Sequence, residues 1–417
     1  MKKIVVNGGQ PLVGNIRVSG AKNASLALIC AALMSNKPLV LDNVPDISDV
    51  RVIIEIISTI GAKVKWEGPN SLSIAPSTEL KDDPPYDLVK KLRASNLLVG
   101  PLLAKYGRAN IALPGGCNIG VRPMDLHFKG LIGLGASVSI NRGSIIGAAG
   151  KLIGARIYLD FPSVGATENI MMAACLAEGQ TIIENVAKEP EIVDLANFLN
   201  SMGAKVRGAG TDIIKIEGVT ALDSCERYSV IPDRIEAGTY MVAAAATRGD
   251  VIVENVIAKH LEPVIAKLRE ANVLVEEHED CIRVKADQSL NPVDIKTMPY
   301  PGFPTDMQSQ MAVLLCTVPG TSVIIENIFE NRFQIADELK RLGANIKVEG
   351  RMAVIEGVPA MHGTQVKATD LRAGAALLIA GLVSKGETVI NDSHYIYRGY
   401  QDIDKKLQNL GADVKIV

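Results

Sequence analysis

The 417-residue chain is long enough for two or three domains, and its 47% hydrophobic content supports large cores, which excludes disorder and collagen-like or disulfide-miniprotein classes. Lys plus Arg (44) nearly balances Asp plus Glu (46), a net charge of −2, which argues against a general nucleic-acid or anionic-membrane binder. Aromatic residues are only 4%, with Trp66 the single tryptophan, so stacking platforms for single-stranded nucleic acid are missing too. The longest apolar run, 373–383, is 11 residues, well short of the ~18–20 of a membrane span. The N-terminal MKKIVVNGGQP has three apolar residues before Asn7, too few for a secretory h-region, and a cytoplasmic location is expected by default. Six cysteines show no CxxC and no CxH spacing, so neither a zinc site nor a disulfide framework is expected.

Taken in chain order, one phrase recurs: an apolar helix end, a Gly-Ala step, then an alternating strand. It stands as STIGAKVKWEG (58–68), GLGASVSI (133–140), NSMGAKVRG (200–208), REANVLVEE (269–277), KRLGANIKVEG (340–350) and QNLGADVKIV (408–417). The marker residues are Gly61, Gly135, Gly203, Asn272, Gly343 and Gly411, spaced 68 to 74 residues apart. Gly, and next to it Asn, suits the left-handed position that ends a helix. Self-similarity at a fixed period decides the architecture of a long chain.

Each repeat also carries an earlier helix that is apolar almost all round, expected at 23–34, 93–106, 166–179, 235–249, 305–318 and 370–384. After several of these comes a strand of the form G-x-x-x-I-x-N, as in GQTIIENV (179–186), or with Val for Ile, as in GDVIVENV (249–256). A second helix with one apolar face follows, for instance EPEIVDLANFLNSMG (189–203), and closes at the marker. The expectation is an α/β protein of six αβ modules of about 70 residues, with helices inside and sheets outside. Such modules exceed the usual solenoid repeat, so globular packing of three modules per domain is expected.

The segments that open the buried helices are not core-like: GAKN (20–23), KLRAS (91–95), FPSVGAT (161–167), PDRIEAG (232–238), GFPTDM (302–307) and TDLRAG (369–374). Helix N-termini favour anions, and Lys22, Arg93, Arg234 and Arg372 add full charges there. Each segment taken alone also reads as an ordinary cap, with Asp306 and Asp370 capping and the arginines pairing with them. Six together favour a shared site for a phosphate- or carboxylate-bearing substrate, to which Arg332 and Arg398, placed after the strands, would add charge. Cys117 sits among glycines in LPGGCNIGVRPMDLH (113–127), in a loop expected to be mobile, and nearby Arg122 would lower its pKa. Cys30, Cys175 and Cys316 lie within apolar helices and read as packing residues. Cys225 and Cys281 suggest no role. His260, His278 and His362 read as surface residues, leaving His127 the only histidine in a candidate site. No Walker motif, GxGxxG helix start or HExxH occurs.

These segments, together with DFPSVGATEN (160–169), AKEPEIVDLANFL (187–199), IPDRIEAGT (231–239), GFPTDMQSQ (302–310), ENRF (330–333), ATDLRAG (368–374) and RGY (398–400), carry a resemblance. Over essentially the whole chain the sequence resembles the UDP-N-acetylglucosamine enolpyruvyl transferases. The resemblance implies two inside-out α/β barrel domains of three modules each. One would run over 22–230 and hold the Cys117 loop; the other would join 1–21 to 231–417, with the active site in the cleft between. It implies transfer of the enolpyruvyl group of phosphoenolpyruvate to the sugar 3-hydroxyl of UDP-N-acetylglucosamine, by addition and then elimination of phosphate. That is the first committed step of peptidoglycan synthesis. No metal and no cofactor are implied, and protein partners are left open.

By the same resemblance, Cys117 is the proton donor and forms a phosphoenolpyruvate adduct, Asp306 takes the hydroxyl proton, and Asp370 supports it. Lys22, Asn23, Arg122, Arg332, Arg372 and Arg398 match phosphoenolpyruvate-side positions, with Lys22 and Arg398 also in catalytic roles. The sugar nucleotide falls to Arg93, Arg122, Pro123, Met124, Asp125, Leu126, His127, Ser163, Val164, Gly165, Asp306 and Ile328. Two departures concern uridine contacts: Leu97 stands where members often carry Trp, and Phe161 where some carry Lys. A cysteine at 117, rather than the Asp of some members, implies alkylation by fosfomycin. The enzyme alternative is the shikimate-pathway enolpyruvyl transferase, which lacks the Cys117 loop. The non-enzyme alternative is a silent sugar-nucleotide binder, which would have lost Lys22, Cys117, Asp306 or Arg398.

Overall fold

In a computed structural model the protein is described over residues 3–77, 79, 84–113, 119–120, 123–223 and 225–417. Contacts divide it into two units. One comprises the described residues of Gly20–Cys117 and Arg122–Ile231. The other comprises those of Met1–Ser19, Asn118–Val121 and Pro232–Val417. Each unit has its own hydrophobic core. The fold is mixed α/β.

The expected alternation of two helix types is present in each module. The buried helices are Lys22–Ala32, Val99–Tyr106, Val164–Ala174, Arg234–Ala246, Gln308–Cys316 and Leu371–Val383. In Arg234–Ala246 every residue after the first is buried. The one-faced helices are Ser48–Thr59, Asp125–Gly133, Pro190–Ser201, Glu262–Glu270, Ile335–Arg341 and Ile403–Asn409. Each ends within a few residues of its marker, and all six markers have positive φ, from 67° at Asn272 to 112° at Gly61. The left-handed residue stops the helix and turns the chain into the next strand.

Two of the expected buried helices begin later than the apolar run suggests. The second opens as a 3-10 turn, Arg93–Leu98, before the α-helix at Val99. Pro101 has no N–H to give to the fourth residue before it, so regular α bonding starts only with Pro101 in its first turn. The fifth opens similarly with Thr305–Met307.

Sheets of three or four strands accompany the helices, three in each unit among the described residues. In one unit the strand Gln180–Glu184 pairs antiparallel with Ile213–Glu217 and parallel with Arg156–Tyr158. The same pattern recurs in the other, where Asp250–Glu254 pairs antiparallel with Cys281–Lys285 and parallel with Val13–Arg17. The N-terminal strand Ile4–Asn7 lies inside a sheet, antiparallel to both Glu387–Asn391 and Asp413–Ile416. No described helix is long and apolar enough to cross a membrane.

Candidate active site

In the unit holding Pro232–Val417, two of the candidate arginines, Arg332 and Arg372, meet at one carboxylate, that of Asp306. Asp306 lies on the 3-10 turn ahead of the fifth buried helix and does not cap it. Its Oδ1 accepts from Arg332 Nη2 at 2.8 Å, and its Oδ2 from Arg372 Nη2 at 2.9 Å and Nε at 3.2 Å. Both arginines are nearly buried, 3% and 4% exposed. Burial alone would raise the pKa of Asp306, but the two guanidiniums outweigh it and hold the carboxyl far below its usual range. Arg332 Nε and Arg372 Nη1 are buried with no hydrogen-bond partner among the described residues. Two buried cations thus share one anion, and each keeps a buried N–H that a further hydrogen-bond acceptor could use.

Asp370 is a helix cap. Its Oδ1 accepts from the N–H groups of Arg372 (2.8 Å) and Ala373 (3.0 Å), capping the helix Leu371–Val383. That cap fixes the backbone from which Arg372 reaches Asp306. Asp233 caps Arg234–Ala246 in the same way. Arg234 lies over the Tyr300 ring at 5.7 Å. Arg398 closes the 3-10 turn Ser393–Arg398 and is half-buried.

One residue here lies outside the sequence reading. Glu326 is fully buried and accepts from Thr297 Oγ1 and Thr305 Oγ1, both at 2.9 Å, and from the N–H groups of Ile328 (2.8 Å) and Phe329 (3.2 Å). It ties the Asp306 turn to the segment of Ile328 and Arg332. Its one signal in the sequence is an acidic residue just before the Asn that follows a strand, in GTSVIIENI (320–328).

In the unit holding Gly20–Ile231, Lys22 opens the first buried helix, which has no side-chain cap, and its Nζ pairs with Asp49 Oδ2 at 2.9 Å. Asn23 beside it is exposed. Ser163 caps the helix Val164–Ala174, accepting from Ala166 N at 3.4 Å, with Val164 and Gly165 half-buried behind it. Pro123 and Asp125 are exposed, Leu126 half-buried, Met124 and His127 buried. Asn96 Nδ2 donates to Met124 Sδ at 3.0 Å. Burial, with the positive charge of Arg93 in second place, pushes the pKa of His127 down to about 4. Leu97 is buried and Phe161 exposed. Cys117 and Arg122 lie outside the described residues.

The remaining cysteines and histidines sort simply. Cys30, Cys175 and Cys316 are fully buried, and burial raises all three thiols, the last two to about 12. Cys225 is buried and Cys281 half-buried. His278 and His362 are exposed as expected, but His260, on the 3-10 turn Ala258–Leu261, is half-buried. Among the described residues no group of His, Cys, Asp or Glu is arranged to hold a metal ion.

The sequence model of the family described as EPSP synthase (3-phosphoshikimate 1-carboxyvinyltransferase) matches residues 6–407. The fold is similar to the enolpyruvyl transferase NikO from Streptomyces tendae, with a TM-score of 0.91 at 27% identity over 100% of this chain and 99% of that one. An EPSP synthase from Acinetobacter baumannii gives a TM-score of 0.77 at 19% identity over both whole chains, a likeness of fold alone. These matches define the class, the enolpyruvyl (carboxyvinyl) transferases. The chain is also 56% identical over 413 residues to UDP-N-acetylglucosamine 1-carboxyvinyltransferase 1 of Caldanaerobacter subterraneus subsp. tengcongensis, covering 99% of each. It is 56% identical over 420 residues to UDP-N-acetylglucosamine 1-carboxyvinyltransferase 2 of Carboxydothermus hydrogenoformans, covering all of both. By that full-length identity the chain belongs to the UDP-N-acetylglucosamine 1-carboxyvinyltransferase family.

Proposed function

We propose that the protein transfers the enolpyruvyl group of phosphoenolpyruvate to the 3-hydroxyl of UDP-N-acetylglucosamine with release of phosphate, the first committed step of peptidoglycan synthesis, in the cytoplasm. The observation that carries the reading is Asp306 gripped by Arg332 and Arg372, each with an unused buried donor, in a chain of this family. Both substrates are anions, and phosphoenolpyruvate presents a carboxylate and a phosphate to cationic side chains.

In the addition step the thiol of Cys117 gives a proton to C3 of phosphoenolpyruvate. The sugar oxygen bonds to C2, and Asp306 takes the hydroxyl proton. The product is a tetrahedral phospholactoyl ether. In the elimination step C3 loses a proton, the C2–O bond to phosphate breaks and the double bond re-forms. Lys22, Arg122, Arg332, Arg372 and Arg398 balance the carboxylate and phosphate charges. Asp370 acts through its cap on the Arg372 backbone, and Asn23 orients the substrates. The nucleotide side falls to Arg93, Pro123, Met124, Asp125, Leu126, His127, Ser163, Val164, Gly165 and Ile328.

In this reading each unit is an inside-out α/β barrel of three modules, with domain limits at 22–230 and at 1–21 plus 231–417. Fosfomycin is expected to alkylate Cys117, seen as one drug adduct by intact-mass analysis and absent from Cys117→Ser.

The test is phosphate release from phosphoenolpyruvate with each acceptor alone, for wild type and Asp306→Ala. Release with UDP-N-acetylglucosamine only, lost in the variant, is the expected result. Release with shikimate 3-phosphate would reassign the acceptor. Release with neither, from folded protein, would leave a sugar-nucleotide binder.

A further inference from the structure

His127, on the helix Asp125–Gly133, is 5% exposed, and its ring meets Asn169 on the helix Val164–Ala174. Two backbone groups orient the Asn169 amide. Its Oδ1 accepts from the Gly100 N–H at 2.7 Å, and its Nδ2 donates to the Asn96 carbonyl at 3.0 Å. The second N–H of that Nδ2 is directed to His127 Nδ1, 3.0 Å away. Turning the amide over would set oxygen against a carbonyl and N–H against N–H. Nδ1 therefore accepts, and a neutral imidazole that accepts at Nδ1 carries its proton on Nε2.

The far edge of the ring faces the start of the helix Val164–Ala174. A Cβ placed on Gly165 would lie 3.1 Å from Cε1 and 3.3 Å from Nε2. Any side chain at 165 would press on that edge of the ring, so glycine keeps Cε1 and Nε2 clear of one. Gly165 and its neighbours Ser163 and Val164 belong to the segment assigned above to the sugar nucleotide.

We propose that Asn169 is a positioning residue that locks His127 as its Nε2–H tautomer, so that the ring offers one neutral, directed hydrogen-bond donor to an acceptor oxygen of the uridine diphosphate moiety. The proposal rests on the sugar-nucleotide reading above. It adds a residue that touches no substrate and a defined donor atom. A ring held in the opposite tautomer would present a lone pair to the same oxygen and repel it. Specificity here arises from an amide two layers behind the ligand, in the manner of outer-shell groups that fix a histidine tautomer.

The tautomer is read on the full-length wild-type protein by two-bond proton–nitrogen correlation of the imidazoles, with His127 assigned by its absence from His127→Gln. A pyridine-type Nδ1 and a pyrrole-type Nε2 are expected; a protonated Nδ1 overturns the proposal. The donor is tested by calorimetry with UDP-N-acetylglucosamine. The amide nitrogen of a glutamine reaches the place of Nε2, and that of an asparagine only the place of Nδ1. His127→Asn is expected to weaken binding by about tenfold, and His127→Gln by less. Equal weakening by the two variants, or none, overturns the donor role. Asn169→Asp keeps the shape but accepts where asparagine donates. It is expected to bring a proton to Nδ1, either moved from Nε2, which loses the donor, or added, which makes the ring a cation, and so to change KM for the sugar nucleotide with kcat little changed; an unchanged KM, or a fall in kcat alone, overturns the positioning role. Wild-type protein that binds no UDP-N-acetylglucosamine overturns the functional reading instead, and the tautomer measurement is independent of it.

Discussion

A carboxylate shared by two guanidiniums is a strong ion pair and a weak base. Asp306 receives three hydrogen bonds from Arg332 and Arg372, which hold its pKa far below the ordinary value. To take a proton from a sugar hydroxyl it must regain basicity, and an oxyanion drawn to Arg332 Nε and Arg372 Nη1 would supply that by competing for the arginines. Asp306→Asn keeps the shape and removes the base. Its kcat for phosphate release is expected to fall by a factor of roughly 10²–10⁴, the range for loss of a positioned base. A fall of less than tenfold in steady-state turnover would assign the proton to another group. Charge made Arg332 and Arg372 legible as candidate site cations, and only the family resemblance made Asp306 legible as a base, since read alone it is a cap. The division of labour between Asp306 and Asp370 was not, because both open a buried helix and only geometry shows which one caps. Glu326 stayed hidden for a related reason: its four donors come from three separate segments.

At the scale of the element, the marker turns make the clearest case for legibility. A repeated Gly at a helix end states a backbone requirement, and the requirement is met at every copy. Gly343 has φ of 93° and nothing within 4 Å of an added Cβ. Gly343→Ala should therefore cost only left-handed backbone strain, about 1–2 kcal/mol, seen as a lower urea midpoint at unchanged m. No loss would mean that the turn can relax. The helix Pro190–Ser201 carries a second test. Asp194, 2% exposed, accepts from Tyr228 Oη at 2.7 Å and Ile231 N at 3.3 Å. Burial raises its pKa from 3.8 to about 6 against those two bonds, with Glu191 adding to the rise. The folded state then binds more protons than the unfolded one between about pH 4 and 6, so the stability owed to Asp194 falls as pH rises through that window and is level above it. The wild-type minus Asp194→Asn difference in unfolding free energy should drop by roughly 2–3 kcal/mol across the window. A flat difference would show that Asp194 ionises as freely folded as unfolded. The window could not be read from the sequence, where DLANFL looks like any amphipathic helix.

At the scale of the whole molecule, the two units differ in how the chain builds them. The described residues of the unit holding Gly20–Ile231 come from a nearly continuous stretch of chain with a core of its own. The other unit needs the chain's two ends. Ile4–Asn7 pairs on both edges, with Glu387–Asn391 and with Asp413–Ile416, and its Ile4 and Val6 side chains are fully buried. Val13–Arg17 adds a parallel edge to Asp250–Glu254. A strand that closes two ladders cannot be removed without leaving two rows of unpaired N–H and C=O groups beside an opened core. A fragment of residues 20–231 is therefore expected to fold alone and melt cooperatively. A fragment of 232–417 is expected to stay unfolded until residues 1–19 are supplied, either joined through a linker to Val417 or as a separate peptide. Circular dichroism and urea melts of the three species decide it. If the fragment 232–417 melts cooperatively without the peptide, the N-terminal strand is an accessory and the limit at 231 alone divides the chain. If the fragment 20–231 fails to melt cooperatively, its core depends on the rest of the chain, and two domains is the wrong description.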